Sequence, residues 1–136
     1  MPKTYRDILK WGDKREEKID PGTLKVIKEK FNFTDADFRT KHLPGNEEVK
    51  LKKLCDLTED QKSKLIEIVG KENVLTDDFS RANFSYGKYY RELLQLRKGN
   101  IPNPPDAVVS PESHDHIISI ADFCNKEKIA IVPVGG

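Results

Sequence analysis

Pro105-Asp106-Ala107-Val108-Val109-Ser110-Pro111-Glu112-Ser113 and, further on, Ile129-Ala130-Ile131-Val132-Pro133-Val134-Gly135-Gly136 bracket the stretch whose reading decides the fold. Ala107–Val109 is a short β-branched run closed by Pro111, the pattern of a brief strand. Ser113 can accept from the free N–H groups of a helix behind it, and that helix carries Ile117, Ile120, Ala121 and Cys124 on one face. Ile129–Val132 is a second apolar run, too short for a helix and rich in β-branched residues. Strand, helix, strand within about thirty residues is the βαβ unit, which joins parallel strands by a right-handed crossover. Strands without polar residues predict burial on both faces. Two strands alone would leave open edges, so this reading expects the chain to be the N-terminal portion of a longer protein.

Upstream the character changes at Gly99-Asn100-Ile101-Pro102-Asn103-Pro104-Pro105. Each proline fixes φ and biases its predecessor towards extended backbone, which reads as a stiff connector. Residues 1–100 hold 22 Lys+Arg and 18 Asp+Glu, whereas residues 101–136 hold Lys126 and Lys128 against Asp106, Glu112, Asp115, Asp122 and Glu127. The expected division is therefore 1–99, a polar helical segment, and 100–136, the βαβ start. In the first segment Asp20-Pro21 opens a helix striped by Leu24, Ile27 and Phe31. Thr58-Glu59-Asp60-Gln61 has the form of a capping box before Leu65, Ile66 and Val69, with Gly70 as the stop. A third helix carries Tyr90, Leu93, Leu94 and Arg97 and ends at Gly99. Phe38 to Glu48, with Pro44-Gly45, reads as a loop. The fold class expected is α+β.

Composition excludes several functions. The chain of 136 residues is 35% charged, yet 24 basic against 23 acidic residues leave a net charge of +1. A general nucleic-acid binder needs a surplus of cations facing phosphate. No apolar run approaches the roughly 20 residues that cross a bilayer, and the N-terminus lacks the apolar core of a secretory signal. Two cysteines, Cys55 and Cys124, make no disulfide framework, so a reducing compartment, the cytoplasm, is the default.

Residues 105–136 resemble the opening of the FAD domain in the vanillyl-alcohol-oxidase and p-cresol-methylhydroxylase (VAO/PCMH) flavoproteins. In that family a Pro-Asp-Ala-Val-Val-x-Pro strand leads into a capped helix, and the following strand ends in a Pro-x-Gly-Gly-Gly-Thr-Ser loop that holds the flavin pyrophosphate. Ile131-Val132 followed by Pro133-Val134-Gly135-Gly136 matches the first four positions of that loop. Glycine suits the task, because successive peptide N–H groups can approach a pyrophosphate only where side chains do not intervene. Within the family the likeness is to the alkyldihydroxyacetonephosphate synthase branch and its bacterial FAD-linked oxidase relatives. Leu93-Leu94-Gln95-Leu96-Arg97-Lys98-Gly99 ahead of Pro105-Asp106 carries that likeness, as does a shortened tryptophan-glycine opening at Lys10-Trp11-Gly12-Asp13.

The resemblance implies FAD as cofactor, with Pro133, Val134, Gly135 and Gly136 as cofactor-binding residues. It assigns no catalytic residue and no metal ligand within this chain. It implies acyl-to-alkyl exchange on dihydroxyacetone phosphate in ether-lipid synthesis, or oxidation of a 2-hydroxy acid on the same FAD domain. A helical interaction module without enzymatic activity is the remaining alternative. A small-molecule substrate bearing phosphate or carboxylate follows, with no nucleic-acid partner, a homodimer for the full-length protein, and a peroxisomal address if the source is eukaryotic.

Other candidates have plainer readings. His114 and His116 would point about 200° apart on a helix, at about 100° per residue, so they do not share a ligand direction. His42 has no evident partner. Cys124 falls on the apolar stripe, and a buried hydrophobe is expected there. Phe79, Phe84, Tyr86, Tyr89 and Tyr90, with Arg81, Lys88 and Arg91, are read as core packing ringed by solvated charge. Arg81 and Arg97 are candidate contacts for an anionic substrate, with a surface ion pair as the alternative.

Overall fold

The computed structural model describes residues 2–9, 19–38 and 47–135. It divides into two compact units, Met1–Glu48 and Val49–Gly136. The expected loop tip at Pro44-Gly45, His42 and the Lys10–Asp13 motif lie outside the described residues, as does Gly136.

In the first unit, α1 spans Tyr5–Ile8 and buries both of its ends. α2 spans Pro21–Phe31, opening where the Asp-Pro pair predicts. Asp20 Oδ2 accepts from the Thr23 N–H at 2.9 Å, and Pro21 at the first position has no N–H to leave unsatisfied. Asn32 then turns left-handed at φ 56°, a conformation its short amide side chain tolerates, and ends the helix. α3, Asp35–Phe38, folds back. Phe33 stacks on Phe31 and meets Phe38 edge-on, each pair with centroids 5.8 Å apart. Lys28 pairs with Asp35 and lies over the Phe38 ring.

The second unit is built around α4, Glu59–Val69. Its capping box is formed as the sequence predicts. The Gln61 N–H donates to Thr58 Oγ1 at 3.2 Å, and the Thr58 N–H donates to Gln61 Oε1 at 3.0 Å. Gly70, at φ 91°, closes the helix. A single 3-10 turn, Lys71–Asn73, leads into β1, Val74–Leu75. Next come α5, Asp78–Asn83, and α6, Tyr90–Arg97. β2 is Val108–Val109, and α7 runs His114–Glu127 behind the Ser113 cap, whose Oγ accepts from the His116 N–H at 3.1 Å. Helix α4 packs against both α7 and β1. Leu65, Val69, Ala82, Leu96, Ile101 and Cys124 form the buried apolar set of this unit, together with Val49.

The sheet corrects the expected βαβ unit. Its two strands are β1 and β2, paired antiparallel with Val74 opposite Val109 and Leu75 opposite Val108. Ile129–Val132 forms no strand among the described residues, and Ile131, Val132 and Val134 stand exposed, Val132 at 82%. A strand exists only where a neighbour completes its hydrogen bonds. The β-branched run therefore registers a propensity without a partner. The molecule is α+β, as expected, but through a long-range antiparallel pair between residues 74–75 and 108–109 rather than a parallel crossover.

The aromatic cluster is a second correction. Phe84, Tyr89 and Tyr90 are exposed, Tyr90 at 73%. α6 turns a single fully buried side chain, Leu96, inward, and Tyr90 and Leu94 fall on the far side of so short a helix. The proline connector is packed: Ile101 and Pro104 are buried, and Asn100 O accepts from the Tyr86 hydroxyl at 2.9 Å.

Candidate functional site

Pro133, Val134 and Gly135 follow α7 as an exposed, irregular segment. α7 ends where Lys128 turns left-handed at φ 59°, and the Ile129 N–H donates to Cys124 O at 2.8 Å. From there the chain runs free of regular structure through residue 135. Nothing lies within 4 Å of the position a Cβ would take on Gly135. Its peptide groups are open to an approaching ligand, which is the donor chemistry that an anion cradle requires. The residues therefore fit a pyrophosphate in kind.

The better-formed polar site lies where the proline connector meets β2. Arg81, on α5, is 2% exposed. Its Nε donates to Pro105 O at 2.8 Å, and Nη2 donates to Lys53 O at 3.1 Å and Leu54 O at 3.2 Å. Nη1 lies 3.6 Å from Asp78 Oδ1, one turn back on the same helix. Asp78 Oδ2 in turn accepts from the Leu51 N–H at 2.9 Å. Asp106 Oδ1 accepts from the Asp56 N–H at 3.0 Å. Residues 51–56 have no helix or strand of their own, so these side chains satisfy their main-chain groups instead. Arg81 is thus spent inside the fold, which removes it as an anion contact. Arg97 is exposed on α6.

Asn73 makes a third tie. Its Nδ2 donates to Val69 O at 2.9 Å and to Glu112 Oε1 at 3.1 Å, while its own carbonyl accepts from the Ser110 N–H at 2.9 Å. Sequence reading missed Asn73 and the inward use of Arg81. The one available signal was an arginine on the inner side of a six-residue helix beginning at an Asp cap.

The remaining candidates fall into place locally. His114 and His116 occupy the first turn of α7, where His116 Nδ1 accepts from the Glu112 N–H at 3.3 Å. Among the described residues no three His, Cys, Asp or Glu side chains gather closely enough to hold a metal ion. Cys124 is buried, as expected, although Ile117 and Ala121 of the same predicted stripe stand exposed, and that burial pushes its thiol pKa up. A cavity of about 440 Å³ opens between Leu51–Lys53 and Gly99–Pro102, and none of residues 133–135 lines it. No described helix is long and apolar enough to cross a membrane.

Comparison with known proteins adds an independent line. The chain is 32% identical to alkyldihydroxyacetonephosphate synthase of Trypanosoma brucei brucei over 116 residues, 83% of this chain. The chain is a relative of the alkyldihydroxyacetonephosphate synthases. The resemblance to that branch of the flavoproteins is borne out, and a match of this length reaches well into the N-terminal helices. The Dictyostelium discoideum synthase is 33% identical over 44% of the chain, and glycolate oxidase subunit GlcD of Bacillus subtilis is 31% identical over 58%. The matched stretch covers 19%, 10% and 15% of those three proteins, so the chain spans about a fifth of such relatives at most. No protein-family model and no solved structure matches it.

Proposed function

We propose that the chain contributes the N-terminal part of a flavoenzyme of the VAO/PCMH type. In this reading residues 1–99 form a helical N-terminal segment and residues 100–136 begin the FAD-binding domain. The observation that carries it is the synthase similarity, at 32% identity over 83% of the chain. The open space around Gly135 supports it, since a glycine there leaves room for a pyrophosphate. Pro133, Val134, Gly135 and Gly136 would contact the phosphates through main-chain N–H groups, Pro133 contributing geometry alone because it has no N–H. FAD, when bound, supplies the electron-accepting ring. This chain supplies placement of the pyrophosphate end, and no residue in it is assigned a catalytic role.

The activity proposed is exchange of an acyl group for an alkyl group on dihydroxyacetone phosphate, in the cytoplasm or, in a eukaryote, the peroxisome. A second reading, oxidation of a 2-hydroxy acid, is favoured by the GlcD similarity over 58% of the chain. The deciding experiment purifies the longest protein that contains this sequence, records its visible flavin spectrum, and assays two reactions. Incorporation of a labelled fatty alcohol into the ether product supports the first reading. Reduction of the flavin by glycolate or lactate supports the second. A protein with no bound flavin that takes up no added FAD leaves neither standing, and favours a helical interaction module.

A further inference from the structure

Arg81 has a role that no part of the synthase reading supplies. We infer that Arg81 is a positioning residue: its buried guanidinium fixes where the Pro105-Asp106 turn lies, and so where β2, α7 and the Pro133–Gly135 segment begin. This rests on the flavoenzyme reading for its consequence at the cofactor, and on the geometry alone for its cause.

The geometry is specific. Three main-chain carbonyls from two separate stretches, Lys53 and Leu54 on one side and Pro105 on the other, converge on a single planar group. A desolvated cation persists only where its donors are met, and here the Asp78 carboxylate offsets the charge while the carbonyls take the N–H groups. No unpartnered buried polar side-chain atom is left in the described residues. A guanidinium presents its donors as a rigid fork, whereas a lysine ammonium is a compact point that cannot reach both stretches in one plane.

The junction also sits at a particular place along the chain. Asp106 holds the Asp56 N–H from the same turn, β2 begins two residues later, and the Ser110 N–H just beyond it is held by Asn73. The sheet here is only two residues per strand, so it contributes little ladder of its own. The side-chain junction therefore sets the origin of the β2–α7 segment, and with it the direction from which Pro133–Gly135 leaves α7.

The test uses purified flavin-loaded protein containing this chain, with Arg81→Ala, Arg81→Lys and the control Arg91→Ala on exposed α6. At a temperature where each variant keeps its far-ultraviolet circular dichroism, FAD affinity and amide hydrogen exchange at Asp56 and Ser110 are measured. Arg81→Ala and Arg81→Lys are expected to lose about tenfold or more in FAD affinity, the order produced when a remote change displaces a binding segment by about an ångström. Exchange at both amides should rise, and millimolar guanidinium, well below denaturing levels, should restore part of the affinity to Arg81→Ala. Arg91→Ala should change nothing. Unchanged affinity together with unchanged amide protection in Arg81→Lys overturns the inference, as does failure of guanidinium to restore a folded Arg81→Ala. If Arg81→Ala does not fold, Arg81→Lys decides by the same two measurements. If the unmodified protein holds no FAD, the flavoenzyme reading fails, while the amide exchange still decides whether Arg81 fixes the junction.

Discussion

Single residues govern this molecule chiefly through main-chain groups that lack regular partners. Thr58 satisfies the Gln61 N–H at the start of α4 and is itself served by the Gln61 side chain. Thr58→Ala is expected to cost about 1 kcal/mol, seen as a fall of about 4–8 °C in the thermal midpoint of a unit this size. Cys124 acts through burial. Its thiol pKa is raised because the thiolate is poorly solvated inside, so the folded state holds the proton more tightly than the unfolded chain. That contribution is complete below the ordinary thiol value of 9.0 and is lost as pH rises through the folded value. Urea midpoints measured from about pH 8 to about pH 10 should decline more steeply in the natural chain than in Cys124→Ala. Equal slopes would mean that the thiol titrates alike in both states. These two residues were legible in the sequence, because a cap and an apolar stripe are local patterns. Arg81 was not, since nothing in Ser80-Arg81-Ala82 says which distant carbonyls the guanidinium will meet.

At the scale of elements, the longer helices and β2 were readable, whereas β1 and the pairing of the sheet were not. α2, α4 and α7 begin where Asp20-Pro21, Thr58 and Ser113 predict, α4 ends at Gly70 as predicted, and α6 ends at Arg97, just before Gly99, because a helix makes its hydrogen bonds within itself. β1 escaped notice because two residues make no pattern, and its pairing with β2 joins positions more than thirty residues apart. Ile129–Val132 has the composition of a strand without the neighbour that would make it one. Asn73 shows how the α4–β1 corner holds without a longer ladder, by capping Val69 O and binding Glu112 while its backbone holds Ser110. Asn73→Ala removes both side-chain bonds. It should destabilise the second unit by about 1–2 kcal/mol and raise amide exchange at Ser110 more than at Lys62 within α4. Gly70 closes the same helix at φ 91°, where a Cβ would also stand 2.9 Å from Glu72 Oε1. Gly70→Ala should therefore destabilise by about 1 kcal/mol through backbone strain, read as a lower urea midpoint with an unchanged slope.

For the whole molecule, the question is how much of a cofactor site 136 residues can form. A pyrophosphate needs several converging N–H groups, and an affinity in the micromolar range corresponds to about 8 kcal/mol. Pro133 has no N–H to give, and Val134 and Gly135 lie exposed on a segment with no ladder to hold it. Even with Gly136 counted, three amides, each worth about 1 kcal/mol net, fall far short of that affinity before the entropy of ordering the segment is counted. The 136-residue chain titrated with FAD is therefore expected to show no saturable quenching of flavin fluorescence at micromolar concentrations. A longer protein that contains it should bind FAD and should order residues 129–135, detectable as slowed amide exchange from Ile129 to Val132. Saturable micromolar binding by the short chain would mean that α7 and the Arg81 junction already set the glycine segment closely enough to grip the phosphates. Slowed exchange at Ile129–Val132 without any flavin would instead assign that run to a protein–protein strand pairing, and would separate the fate of the apolar segment from that of the cofactor.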